Sequence, residues 1–186
     1  SMKGSKKRLE RLELFNSIDK IIFVSEWVQK RFFKDLDNKL MNNTEVVYPS
    51  ISKVKKIGKK YKKITFVGKL NRAKGYDIFA KSIKKVLDKN KDWKALVIGD
   101  EKREKIILDH PNASILGFKK HEEVIKIFKK TSITVACSRW DEPFGRTSLE
   151  ASSRGCAVII SDRGGLPETN SNGIVLNKLD SRVLFN

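Results

Sequence analysis

The stretch EPFGRTSLE, Glu142 to Glu150, sets two carboxylates around a proline, a glycine, an arginine and two hydroxyls. Pro143 and Gly145 favour a tight turn. A helix starting near Arg146 or Thr147 would present free backbone N–H groups and its positive dipole end to whatever lies before it. Such a place suits an anion. Glu150, about one turn in, would stabilise a helix start even without a ligand. Glu142 has no such structural use, and a carboxylate beside an anion site suits hydrogen bonds from sugar or ribose hydroxyls. The pair suggests a ligand with phosphate in the middle and polyol groups at both ends. Two more stretches carry related chemistry. GKLNRAKG, Gly68 to Gly75, places Lys69, Arg72 and Lys74 in a short glycine-bounded turn, where cations could face an anion and the backbone could approach it closely. SDRGGLPE, Ser161 to Glu168, offers Gly164 and Gly165 for close approach, followed by Pro167 and Glu168, which suit the first turn of a helix. Taken singly, the two glycine stretches are also what ordinary polar strand–helix turns look like.

The elements that must position these residues alternate from residue 64 onward. Continuous apolar runs predict strands over 64–68, 94–99, 114–118, 133–137, 157–161 and 173–176. Helical spacing predicts helices over 76–90, with Ile78, Phe79, Ile83, Val86 and Leu87 on one face, over 121–130, with Val124, Ile125 and Phe128 inward, and over 147–154, stopped by Gly155. A short helix is expected within 101–108. Strands that are apolar throughout fit a parallel sheet covered on both faces. The fold class is therefore α/β, a doubly wound Rossmann-like parallel sheet.

The first sixty residues differ. Strands are expected over 19–25 and 44–50 and a helix over 26–36, too little to bury a core alone. The run 53–63 carries seven lysines in eleven residues and reads as a solvated connector. The expected division is 1–52, the tail of another domain; 53–63, a linker; and 64–186, a ligand-binding domain.

Composition bounds the rest. Of the 186 residues, 39% are hydrophobic, enough for a real core. No apolar run of membrane-spanning length occurs. Cys137 and Cys156 lie in apolar runs and read as small core residues, which points to a reducing, cytoplasmic setting. Forty Lys and Arg against 22 Asp and Glu give a net charge of +18. That favours acidic partners, or reflects lysine on solvated faces. His110 and His121 are expected at the surface.

The three motifs, in this order and spacing, resemble those of glycosyltransferase family 4, the glycosyl transferases group 1 of the GT-B fold. Their second domain carries G-R-L-x-x-x-K-G, E-x7-E and G-G-x-P-E, here GKLNRAKG, EPFGRTSLE and GGLPE. ALVIGD, SILGFKKHEEVIKIFKKTSITVACS and FVSEWVQKRF also resemble family segments, and the resemblance covers about residues 17–180.

The resemblance implies a retaining glycosyltransferase using a nucleotide-diphosphate-sugar donor, UDP- or GDP-linked. Lys69 and Lys74 would bind the diphosphate and stabilise the departing nucleotide. The family usually has Arg at the first position, and Lys69 keeps the charge without the bidentate fork. Glu142 would contact donor-sugar hydroxyls or the developing positive centre, so Glu142, Lys69 and Lys74 form the expected catalytic set. The amides of Phe144, Gly145, Arg146 and Thr147 would serve the sugar and distal phosphate, and Glu150 the two ribose hydroxyls. Gly117 and Phe118 would lie near the base, with Gly68 and Gly165 giving backbone approach. No metal or cofactor is expected to be required; the Asp35-Leu36-Asp37 triplet is expected to close a helix with its carboxylates in water. Residues 1–52 would be a remnant of the acceptor-side domain, and the donor domain would lack its last helix. Such a chain is expected to bind a donor but not to turn over alone. The acceptor would be a glycan or lipid-linked glycan in bacterial envelope or lipopolysaccharide synthesis, reached through the missing domain. The basic surface would touch the inner face of the membrane. The alternative is a non-catalytic basic module for nucleic acid or anionic surfaces; the chain lacks the aromatic–basic interleaving of single-strand binders, so nucleic acid is not expected. Phosphorylase or epimerase chemistry on the same scaffold is a further alternative.

Overall fold

The computed structural model describes residues 9–14, 17–34, 43–52, 54 and 56–185. These fall into two compact units, one up to Ser50 and one from Ile51. In the first, β1 (Ile21–Phe23) and β2 (Thr44–Val46) pair in parallel, with α1 (Glu26–Phe33) between them in sequence. The Ser25 hydroxyl accepts from Val28 N at 3.1 Å and fixes where α1 starts. The rings of Phe23, Phe32 and Phe33 meet with centroids 5.1 to 6.1 Å apart and make the small core. The regular elements are shorter than the sequence suggests, and Asp35, Leu36 and Asp37 lie outside the described residues.

The second unit is a six-stranded, all-parallel sheet flanked by helices. Its elements run β3 (Tyr61–Val67), α2 (Tyr76–Lys89), β4 (Lys94–Ile98), β5 (Ala113–Ile115), α3 (His121–Lys130), β6 (Thr131–Ala136), α4 (Arg146–Ser153), β7 (Ala157–Ser161), a 3-10 turn (Pro167–Thr169), β8 (Ile174–Leu176) and α5 (Ser181–Phe185). The sheet order is β5-β4-β3-β6-β7-β8. Side chains alternate across a strand, so the two faces bury separate clusters. On one, Ile64, Phe66, Val97 and Val135 pack under Phe79, Ile83 and Leu87 of α2. On the other, Ile98, Val158 and Ile160 pack under Val124 and Phe128 of α3 and Ala151 of α4. This is the doubly wound parallel fold read from the apolar runs. Among the described residues no helix is long and apolar enough to cross a membrane.

Three expectations change. Residues 101–108 are not helical. The Glu101 carboxylate accepts from the backbone and guanidinium of Arg103 and from Asn71, which ties the chain down at its first residue. Ile106 and Leu108 then turn inward either side of exposed Ile107, a two-residue period that an extended chain satisfies and a helix does not. The lysine run is not wholly solvated: β3 begins inside it, and Lys60 Nζ donates to Phe128 O at 2.9 Å and Arg154 O at 2.6 Å. His110 is not at the surface either. Its side chain is 5% exposed, with Nδ1 accepting from Asn112 N at 3.0 Å and Nε2 3.3 Å from Asp88.

Candidate functional site

The chain leaves β3 outward through β4 to β5, then returns to β6 on the other side of β3. The strand order reverses there, and the crevice at such a reversal is where open parallel sheets take ligands. The loops after β3 and β6 carry the Gly68–Gly75 turn and Glu142.

The first loop is held by its own hydrogen bonds and by the second. Asn71 is 8% exposed. Its side-chain oxygen accepts from Lys74 N at 3.0 Å, and its amide nitrogen donates to Glu101 Oε2 at 3.1 Å. The Glu101 carboxyl is held down to about 2, first by the Arg103 guanidinium, then by the Arg103 backbone and Asn71. Gly75 has φ of 74°, and a Cβ there would collide with the carbonyl of Cys137. Beyond Cys137, the amides of Arg139 and Trp140 both donate to Ala73 O, at 2.8 and 3.1 Å. Arg139 reaches Arg72 O at 2.6 Å and forks onto Asp77 at 2.6 and 2.9 Å. Burial pushes the Asp77 carboxyl up; Arg139 more than offsets it and leaves Asp77 below its ordinary value.

This framework delivers Lys74 to Glu142. Their side chains form an ion pair, 33% and 17% exposed respectively. Lys69, at the start of the same loop, is exposed to solvent. Glu142 is braced from beneath by the third motif. Gly165 N donates to Glu142 O at 2.7 Å, and a Cβ at Gly164 (φ 60°) would overlap the Glu142 backbone. The close approach that these glycines permit is thus made by the Glu142 loop.

The helix α4 begins after Gly145, whose φ is 108°, and no side chain caps it. Ser148 Oγ instead bonds Gly145 O at 2.7 Å and Thr169 Oγ1 at 2.7 Å, tying the first turn to the 3-10 turn. Uncapped N–H groups at the helix start remain acceptor-seeking. The Phe144 ring is buried below them. One turn deeper lies Glu150, whose side chain is 11% exposed; its Oε1 is 3.2 Å from His121 Nε2 and 3.5 Å from Arg146 Nη2. Gly117, at φ 67°, accepts from Gly99 N at 2.9 Å, and Phe118 beside it is 74% exposed, an aromatic face turned to solvent.

The residues singled out from sequence therefore resolve into a paired centre, Lys74 with Glu142; an uncapped helix start at Gly145, Arg146 and Thr147; and an anchored carboxylate, Glu150. Asn71, Glu101, Arg139 and His121 were not foreseen there. Asn71 had a local signal, since Asn favours side-chain bonds to its own turn. Arg139 and His121 had none, because their partners are distant in sequence, and nothing local showed that Glu101 would also reach Asn71. Among the described residues no group of three or more His, Cys, Asp or Glu side chains could hold a metal ion.

The geometry has counterparts in known proteins. The family model described as "Glycosyl transferases group 1" matches residues 47–179. A lipopolysaccharide core biosynthesis mannosyltransferase, LpsB of Rhizobium meliloti (strain 1021), is 29% identical over 116 residues, covering 57% of this chain and 33% of its own length. Among solved structures, a glycosyltransferase from Rickettsia africae ESF-5 superposes with a TM-score of 0.75 at 18% identity, over 97% of this chain and 55% of that one. Anabaena HepE in complex with UDP-glucose superposes at 0.72 and 19% identity, over 90% of this chain and 52% of that one. The chain spans between 28% and 49% of the length of the curated relatives it matches.

Proposed function

The chain belongs to the glycosyl transferases group 1 family, and from that membership we propose that it is the donor-binding part of a retaining glycosyltransferase that uses a nucleotide-diphosphate sugar. The observation that carries this reading is the placement of two carboxylates, Glu142 and Glu150, on either side of the uncapped start of α4, with Lys74 paired to the first. A diphosphate fits between them. Its charge meets the free N–H groups of α4 and the ammonium groups of Lys69 and Lys74. Glu150 accepts from the two ribose hydroxyls. Gly117 and Phe118 shortly precede His121, the partner of Glu150, in sequence, and the exposed Phe118 ring offers a face for the base.

The chemistry follows from charge. As the bond between the sugar and the diphosphate breaks, negative charge grows on the leaving group and positive charge on the sugar ring. Lys69, Lys74 and the helix start stabilise the first. Glu142 faces the second and accepts from the sugar hydroxyls. Lys74 and Glu142 neutralise each other, so a donor binding between them exchanges one ion pair for two sets of contacts. This division of labour needs no metal. Gly68 keeps the first loop low enough for the phosphates to approach, and Gly165 keeps Glu142 in place.

HepE, a structural neighbour, is known in complex with UDP-glucose, which supports a UDP-linked donor, and a GDP-linked donor fits the same groups. LpsB, a relative, acts in lipopolysaccharide core biosynthesis, which supports a glycan or lipid-linked glycan acceptor in envelope synthesis. Acceptor recognition then falls outside the second unit, with residues 1–52 read as part of an acceptor-side domain. The basic surface suits peripheral contact with an anionic membrane from the cytoplasmic side.

Calorimetric titration with UDP, GDP and ADP tests the site. One nucleotide should bind, and Glu150→Ala should weaken it roughly 10- to 100-fold, the loss of hydrogen bonds from two hydroxyls to a charged acceptor. Binding of none of the three would refute the reading.

A further inference from the structure

His121 is an unassigned member of this site. It opens α3, yet its Nε2 reaches across to Oε1 of Glu150 on α4, 3.2 Å away. Arg146, one turn before Glu150, addresses the same oxygen from 3.5 Å. The carboxylate is nearly buried while the imidazole is 61% exposed. A buried carboxylate needs partners for its charged oxygens, and a surface imidazole has water for its own. The contact therefore serves Glu150 more than it serves His121. Glu has three rotatable bonds, and two basic side chains in contact with one oxygen leave few of its rotamers populated. Both contacts fall on Oε1, which leaves Oε2 as the oxygen a ligand could address. We propose that His121 is a positioning residue for the nucleotide's ribose: it pins Oε1 of Glu150 so that Oε2 is presented to the vicinal hydroxyls. This rests on the donor-site reading given above. It adds that selectivity for ribose over deoxyribose depends on a residue that touches neither sugar nor phosphate.

Donation needs a proton on Nε2, which the neutral Nε2–H tautomer and the imidazolium both supply. A glutamine side chain places an N–H donor at nearly the same reach, so His121→Gln should preserve the effect, whereas His121→Ala removes it. His121 is exposed at the first position of its helix, so neither change disturbs the core.

The test is calorimetric titration of the full chain and both variants with UDP, GDP and ADP and with their 2′-deoxy forms. The unaltered chain should prefer the ribonucleotide of the base it accepts. In His121→Ala that preference should fall roughly five- to tenfold, the size expected for losing one partly exposed bond to a charged group. In His121→Gln it should return. A merely structural role would weaken both forms alike and leave their ratio fixed. An unchanged ratio in His121→Ala would overturn the assignment of His121 while leaving the donor site standing. No binding of any nucleotide by the unaltered chain would remove the donor site, and this assignment with it.

Discussion

Replacing Lys60 by methionine tests how the second unit is held at the end of the sheet opposite the crevice. Lys60 Nζ donates to Phe128 O in the last turn of α3 and to Arg154 O just past the end of α4, at 2.9 and 2.6 Å. Phe128 O also accepts from Thr131 N and from the Cys156 thiol, whereas Lys60 is the donor to Arg154 O among the described residues; both carbonyls lie at the negative end of a helix dipole. One ammonium thus bonds two helices. Methionine keeps the apolar stem and removes the two bonds. Each bond to a charged donor is worth about 1.5–3 kcal/mol. Against that stand the desolvation of the half-buried ammonium and roughly 2 kcal/mol of lysine side-chain entropy. The balance is a loss of about 2 kcal/mol. With a guanidinium slope of about 3–4 kcal/mol per M for a unit of this size, the midpoint should fall by about 0.6 M at unchanged slope. Trp93, packed against the core of the same unit, reports the transition by its fluorescence. A fall of less than about 0.15 M would show that the two carbonyls are equally well served by water, and the reasoning from helix ends would be refuted.

Other outcomes are expected. Gly75→Ala should cost several kcal/mol, on the order of the largest single-substitution effects, because its Cβ would overlap the Cys137 carbonyl and its φ is positive; a melting curve like that of the unaltered chain would contradict this. Tyr76→Phe should be neutral or stabilise by about 1 kcal/mol, since the buried hydroxyl makes no hydrogen bond among the described residues; thermal denaturation decides it. Cys137 should resist a thiol reagent at pH 8 until the protein unfolds, because burial pushes its thiol up to about 12 and keeps it protonated; rapid labelling in native buffer, read by mass spectrometry at that residue, would count against it. Glu101 has its pKa lowered to about 2 by folding, so its contribution is present above its ordinary value of 4.5 and is lost as the pH falls from there through 2. In Glu101→Gln that part of the acid dependence of stability should disappear from a pH series of denaturation midpoints.

The doubly wound fold was legible because buried parallel strands need apolar residues on both faces, and AVIIS at 157–161 shows that without reference to anything else. The helix α3 was legible from Val124 and Phe128 at helical spacing, and both are buried. What sequence could not show was where a polar side chain finds its partner. EKREKIIL has the composition of a helix, yet Glu101 spends its carboxylate on Arg103 and Asn71, and Ile106 and Leu108 answer to the core instead. Lys60 stands among seven lysines and looks like the rest, but its position beneath two helix ends is set by strands that pair far along the chain. His110 is buried by an Asp from α2 and a turn of its own. At the candidate site, Lys74 and Glu142 could be chosen by their motifs, and their pairing follows from the reversal of strand order between β3 and β6. The brace under Glu142 could not be foreseen, because a Gly-Gly pair gives the same sequence signal whether it faces a ligand or another loop.

That brace has a consequence for how the protein is made. Glu142 is paired with Lys74 from 68 positions earlier and seated on Gly165, which is synthesised after it. A nascent chain can pair β3 with β4 soon after residue 98 appears. It cannot seat Glu142 until β7 and the glycine turn have left the ribosome, and closing such long loops is slow compared with local helix formation. The crevice is therefore among the last features to form. A chain halted between α4 and Gly165 would carry most of the sheet and every cation of the first loop, with the Glu142 carboxylate still unplaced. Translation pausing in that window would leave the pair of Lys74 and Glu142 without the backbone seat that Gly165 gives it.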